Sequence, residues 1–149
     1  MMLLVLVISI QGRTQKEIPP LGQRIAENTQ QAVLNYKDSN VIEGAARLCD
    51  VVLMVRPRTS WPDGFTKAIE TAKDSFLKAD FSKGVGSIKR AIMIFRPDYS
   101  TLSSEKIGHV TNIAQLTLDK IKSANENFKA GNADQAVLLI LESLILLSP

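Results

Sequence analysis

The sequence predicts an all-α fold of three stacked antiparallel helical hairpins, about six helices in all. Three observations carry this. Hydrophobic residues make up 45% of the 149 residues but aromatics only 5%, so Leu, Ile, Val and Ala must do the packing, as they do in helical arrays. Three prolines, Pro57, Pro97 and Pro149, each close a strongly apolar segment. Counting back from each proline, the same residue types recur without gaps over about 25 positions, the self-similarity expected of a repeat architecture.

Residues 1–20 stand apart from the domain at 21–149. Met1 to Ile10 is apolar except for Ser9, and Gln11-Gly12, a polar stretch and Pro19-Pro20 follow. Ten residues are too few to span a bilayer, which takes about 20. They match the apolar core of a secretory signal with Gly12 before a cleavage point, although no Lys or Arg precedes the run. The segment is therefore read as a signal or an anchor. That points to export or membrane association, with the cytoplasm as the alternative if the run stays on the chain and docks on the domain.

From residue 21 the pattern predicts helices at 21–38, 41–55, 63–79, 83–95, 103–130 and 133–147. Ser60 or Pro62-Asp63 opens the third, with proline tolerated in the first turn. Ser103-Ser104-Glu105 opens the fifth, which is long enough to reach past its mate. The recurring positions are Ala32, Ala72 and Ala124, then Tyr36, Phe76 and Phe128 four residues on, then Gly44, Gly84 and Ala136 after a turn-rich patch. A small residue four positions before an aromatic places both on one helical face. The Gly or Ala opening the return helix then lets the two helices approach closely, and larger apolar residues line the inner face. Proline ends each unit because it has no N–H for the next helical hydrogen bond. A single hairpin cannot bury its own face, so neighbours must stack.

Unit three, Ala124-Asn125-Glu126-Asn127-Phe128-Lys129-Ala130-Gly131-Asn132-Ala133-Asp134-Gln135-Ala136 on to Pro149, resembles the core of a tetratricopeptide repeat. The small–aromatic pair, the Gly-Asn turn, the small residue after it and the closing proline all match. The prolines lie 40 and 52 residues apart where the family repeats every 34, and unit one lacks the glycine in its turn. The surplus lies in Arg58 to Phe65 and in Asp98 to Ile113. The resemblance implies a curved stack of helix pairs whose concave face holds a peptide or helix of a partner protein.

Little in the chain suggests catalysis. One Cys and one His give poor material for a metal site or a nucleophile–base pair, and no cofactor motif is present. Cys49 reads as a buried thiol with nothing basic arranged to activate it. His109 reads as a packing or surface residue. Asp50, Glu43 and Arg47 share a helix and could meet groups elsewhere, which is the most an enzymatic reading can claim. Gly84-Val85-Gly86 reads as close helix approach, not as a phosphate loop.

Charge and hydropathy suggest interfaces instead. Net charge is only +3, and no aromatics interleave the cations, which argues against nucleic acid. Lys83, Lys89, Arg90 and Arg96 occur without an acidic residue opposite the stripe Val85, Ile88, Ile92 and Phe95. This is a solvated face or a site for an acidic peptide or an anionic membrane. From Ala136 to Leu147 only Glu142 and Ser143 are polar, and a helix apolar all round must be covered on every side. The sequence thus predicts cover for Leu138, Leu141 and Ile145 from residues 1–10, a second copy or a partner. The reading is a non-catalytic scaffold or adaptor that joins itself or another protein through this helix and an inter-hairpin groove. The alternative is a helical bundle holding a small apolar ligand or lipid, which a closed apolar cavity would favour over an open groove.

Overall fold

A computed structural model describes residues 20–98 and 113–148. Within them lie six α-helices: α1 Leu21–Lys37, α2 Val41–Met54, α3 Phe65–Leu77, α4 Phe81–Phe95, α5 Ile113–Lys129 and α6 Ala133–Ile145. A short 3-10 turn, Arg58–Ser60, joins the first hairpin to the second. The described residues contain no strand. The segment Met1 to Ile10, Ser103 to His109 and Pro149 lie outside the described residues.

One turn chemistry closes all three hairpins. The N–H groups of Ser39, Ala79 and Gly131 donate to the carbonyls of Tyr36, Phe76 and Phe128 at 3.1, 2.9 and 3.2 Å. The next residues, Asn40, Asp80 and Asn132, donate to Asn35, Ser75 and Asn127 at 2.7, 2.8 and 2.8 Å. These paired bonds satisfy carbonyls that a helix end leaves open, and they require a left-handed residue between. Ser39 (φ 63°), Ala79 (φ 60°) and Gly131 (φ 84°) take that conformation. Asn40 and Asp80 then cap the returning helices, accepting from the Glu43 and Lys83 N–H groups.

The third helix starts two residues later than the spacing predicts. Gly64 sits at φ 85° and completes a turn in which Phe65 N–H donates to the Pro62 carbonyl, so helical geometry begins only at Phe65. That turn brings Trp61 onto Phe65, with ring centroids 4.3 Å apart, and edge-on to Phe95 at 5.6 Å. Arg56 lies over both the Trp61 and Phe95 rings, at 4.8 and 5.7 Å, and pairs with Asp134 at the start of α6. The cluster therefore ties the end of α2, the second hairpin and the third hairpin together.

Helix contacts arrange the three hairpins in two layers. Each helix packs on its hairpin mate, and α2 also packs on α3. The third hairpin lies against both earlier ones: α6 against α4 and α2, and α5 against α1. Thus α1 faces α5, α2 faces α6 and α3 faces α4. The core runs between the layers through Leu48, Val51, Ile69, Phe76, Ile88, Ile140, Leu141 and Leu144, all fully buried. Each such side chain contributes about 1.5–3 kcal/mol on leaving water.

Candidate inter-hairpin groove

The layer arrangement decides which surfaces remain for function. The repeat-packing residues face inward: Ala32, Ala72, Phe76, Ala124 and Ala136 are wholly buried, and Tyr36 and Phe128 pack partly buried on the core. A Cβ on Gly44 would lie 3.1 Å from Tyr36 Cε2 and 3.4 Å from the Ala32 carbonyl oxygen. A Cβ on Gly84 would lie 2.6 Å from Phe76 Cε1. Ring and glycine therefore meet across each of the first two hairpins. Gly86 differs, with nothing among the described residues within 4 Å of an added Cβ, so close helix approach accounts for Gly84 and not for Gly86.

Of the covers expected for α6, a second copy and a partner are not needed, which corrects that expectation, while residues 1–10 lie outside the described residues. Leu138, Leu141 and Ile145 are 2%, 0% and 1% exposed, because α6 is the helix that touches α2, α4 and α5. They offer no surface to a partner. Ser143 meets its polar need inside the helix by donating to the Ile140 carbonyl at 2.6 Å, and Glu142 approaches Lys120 of α5 at 3.8 Å.

The residues that an enzymatic reading would need do not converge. Asp50 pairs with Lys73 of α3 at 2.8 Å, while Arg47 pairs with Glu43 on its own helix at 3.9 Å. Cys49 is fully buried, and that burial, with the Asp50 carboxylate beside it, pushes the thiol well above its ordinary range against a smaller lowering by Lys73. Burial likewise raises the Tyr36 hydroxyl. Both groups are thus neutral and inert at ordinary pH. Among the described residues no group of three or more His, Cys, Asp or Glu side chains could hold a metal ion. No helix of the described residues is long and apolar enough to cross a membrane.

What the packing does leave is an open groove of about 380 Å³ between α1 and α5, where the first and third hairpins meet. Thr29 and Ile121 form its buried floor, and Val33 and Leu118 are half-buried walls. Gln30, Lys37, Gln115, Asp119 and Lys122 stand exposed around the rim. Thr29 is buried without cost because its hydroxyl donates back to the Ile25 and Ala26 carbonyls. Asn125 closes the groove with a buried Oδ1 that has no hydrogen-bond partner among the described residues, an acceptor suited to an incoming N–H. An apolar floor with a rim of donors and acceptors can seat side chains below and satisfy peptide groups above.

The sequence leads to an inter-hairpin groove but does not place it between α1 and α5. The surplus of residues between Pro97 and Ile113 sets the third hairpin apart in the sequence, but length alone carries no direction. Nor was Trp61 singled out, though a lone tryptophan just after a helix-ending proline is a natural anchor. No family model matches the chain, and no curated protein or solved structure shows significant similarity to it.

Proposed function

We propose that this chain is a non-catalytic scaffold that binds a segment of another protein, or of a second copy of itself, in the groove between α1 and α5. The observation that carries the reading is the groove itself: open to solvent, with a buried floor and a polar rim, between two packed hairpins. The threefold recurrence of one turn chemistry supports kinship in design with tetratricopeptide-like hairpins, whose business is holding peptides. The alternative of an apolar ligand or lipid is less well served. Seven of the ten lining residues are polar, and a lipid site needs a closed apolar chamber.

The test is site-specific photo-crosslinking in cells, with a photoreactive residue at Gln30 on the rim and, as a control, at the exposed Lys78 just after α3. A discrete adduct from position 30 that disappears with Leu118→Lys is the expected result. An adduct of twice the 16.4 kDa chain mass would identify a second copy as the occupant. No adduct, or the same pattern from position 78, would refute the proposal.

A further inference from the structure

The outer face of α4 carries three features that the fold does not use. Lys83, Lys89 and Arg90 are exposed, and none has an acidic partner among the described residues; Arg96, at the helix end, approaches only Asp98 at 3.6 Å. Met93 is 65% exposed, the most exposed large hydrophobic of the described residues. Gly86 is exposed in the helix interior, where glycine weakens a helix, and no atom of the described residues requires its small size. Helical spacing arranges these features in order. Gly86 and Met93, two turns apart, lie along the middle of the exposed face, with Lys83 and Arg90 on one side and Lys89 on the other. The face is thus a shallow notch beside a methionine, walled by cations.

We infer that this face docks an acidic helical segment of a partner protein, whose backbone approaches at Gly86 and whose carboxylates pair with Lys83, Lys89 and Arg90. Charge complementarity selects the chemistry, and the notch selects the form. An anionic bilayer would attract the cations but would not need a glycine, and membrane-lying helices insert an apolar face. The apolar face of α4, with Val85, Ile88 and Ile92, is already buried in the bundle. Duplex nucleic acid would likewise be indifferent to Gly86. The surface is separate from the α1–α5 groove, and its occupancy does not depend on the groove's.

The probe is a fluorescent synthetic helical peptide with Glu pairs two turns apart, alanine on the row that meets Gly86 and leucine to meet Met93. Its binding to the full chain is followed by anisotropy at low and high salt. Binding should weaken by about tenfold or more in the Lys89→Glu/Arg90→Glu variant, as removal of complementary charge predicts. It should weaken to a similar degree in Gly86→Leu, which leaves every charge in place, and should not change in the groove variant Leu118→Lys. Circular dichroism checks that each surface variant stays folded. No binding of the peptide, equal binding by Gly86→Leu, or tighter binding of phosphatidylserine vesicles or duplex DNA than of the peptide would overturn the inference.

Discussion

Two glycines two residues apart in α4 should respond to alanine with opposite signs. Replacing an interior helical glycine by alanine gains about 1 kcal/mol from reduced freedom in the unfolded chain and better helix propensity. At Gly86 nothing among the described residues lies within 4 Å of the new methyl, so Gly86→Ala should realise that gain in full. For a chain of this size that raises Tm by about 2–4 °C. At Gly84 the methyl would sit 2.6, 2.7 and 2.9 Å from three carbons of the Phe76 ring, which is wholly buried and wedged beside Phe81. The ring cannot swing away, so α3 and α4 must part. Overpacking of this kind costs about 1–3 kcal/mol, and contacts this short belong at the upper end. Gly84→Ala should therefore lose about 1–2 kcal/mol net. Gly44 falls between, since its methyl would touch the half-buried Tyr36 ring at 3.1 and 3.2 Å, a neighbour able to give by a few tenths of an ångström. Urea and thermal denaturation followed by far-UV circular dichroism should rank stability as Gly86→Ala, wild type and Gly44→Ala, then Gly84→Ala. A Gly84→Ala protein as stable as wild type would refute the account of how the second hairpin closes.

Two further outcomes follow from the same structure. Ser39 and Ala79 hold left-handed backbone that an L side chain adopts at a cost of about 1–2 kcal/mol. Ala79→Gly and Ser39→Gly should each stabilise by about 0.5–1 kcal/mol in urea titrations, while Gly131→Ala should cost about 1 kcal/mol. Stability should also fall at alkaline pH. The buried Cys49 keeps its proton where the unfolded chain loses it, so its contribution is full below the ordinary thiol pKa of about 8.5 and is lost as pH rises beyond it. The slope should approach about 1.4 kcal/mol per pH unit, and Tyr36 should add a second such step above about pH 10. Cys49→Ala should flatten the first step and leave most of the second, since burial outweighs Cys49 in raising Tyr36, and an unchanged profile would count against the thiol as its source.

Much of the architecture was legible because local chemistry determines it. The recurrence of Ala32, Tyr36 and Gly44 as Ala72, Phe76 and Gly84 marks out hairpins because ring and glycine must meet across each turn. Helix ends were less legible. The left-handed turn at Gly64 delays α3, and nothing in periodicity distinguishes a glycine that completes a turn from one that opens a helix. The left-handed residues Ser39 and Ala79 were invisible for a related reason. Both adopt a conformation that their own chemistry disfavours, held there by the paired hydrogen bonds on either side.

The C-terminal helix shows where sequence reasoning reaches its limit. Hydropathy said correctly that the stretch from Ala136 to Leu147 must be covered on every side, but period and composition do not say by what. A stack extended in one direction would leave α6 at its open end, and self-association would then be the natural remedy. The third hairpin instead folds back, placing α6 beside α2 and α4 and α5 beside α1. This one choice moves the apolar surface from the outside to the centre. The two surfaces proposed for binding accordingly lie where the layers end: the groove between α1 and α5 on one side, and the outer face of α4 on the other. Both rest on the central pair α2 and α6, so a change that loosens the core should weaken both surfaces together. Leu118→Lys on α5 and Arg90→Glu on α4, on two helices that do not pack closely on one another, should act additively. On the two proposals made above, one scaffold would hold two chains through separate contacts on opposite sides of the buried α2–α6 pair.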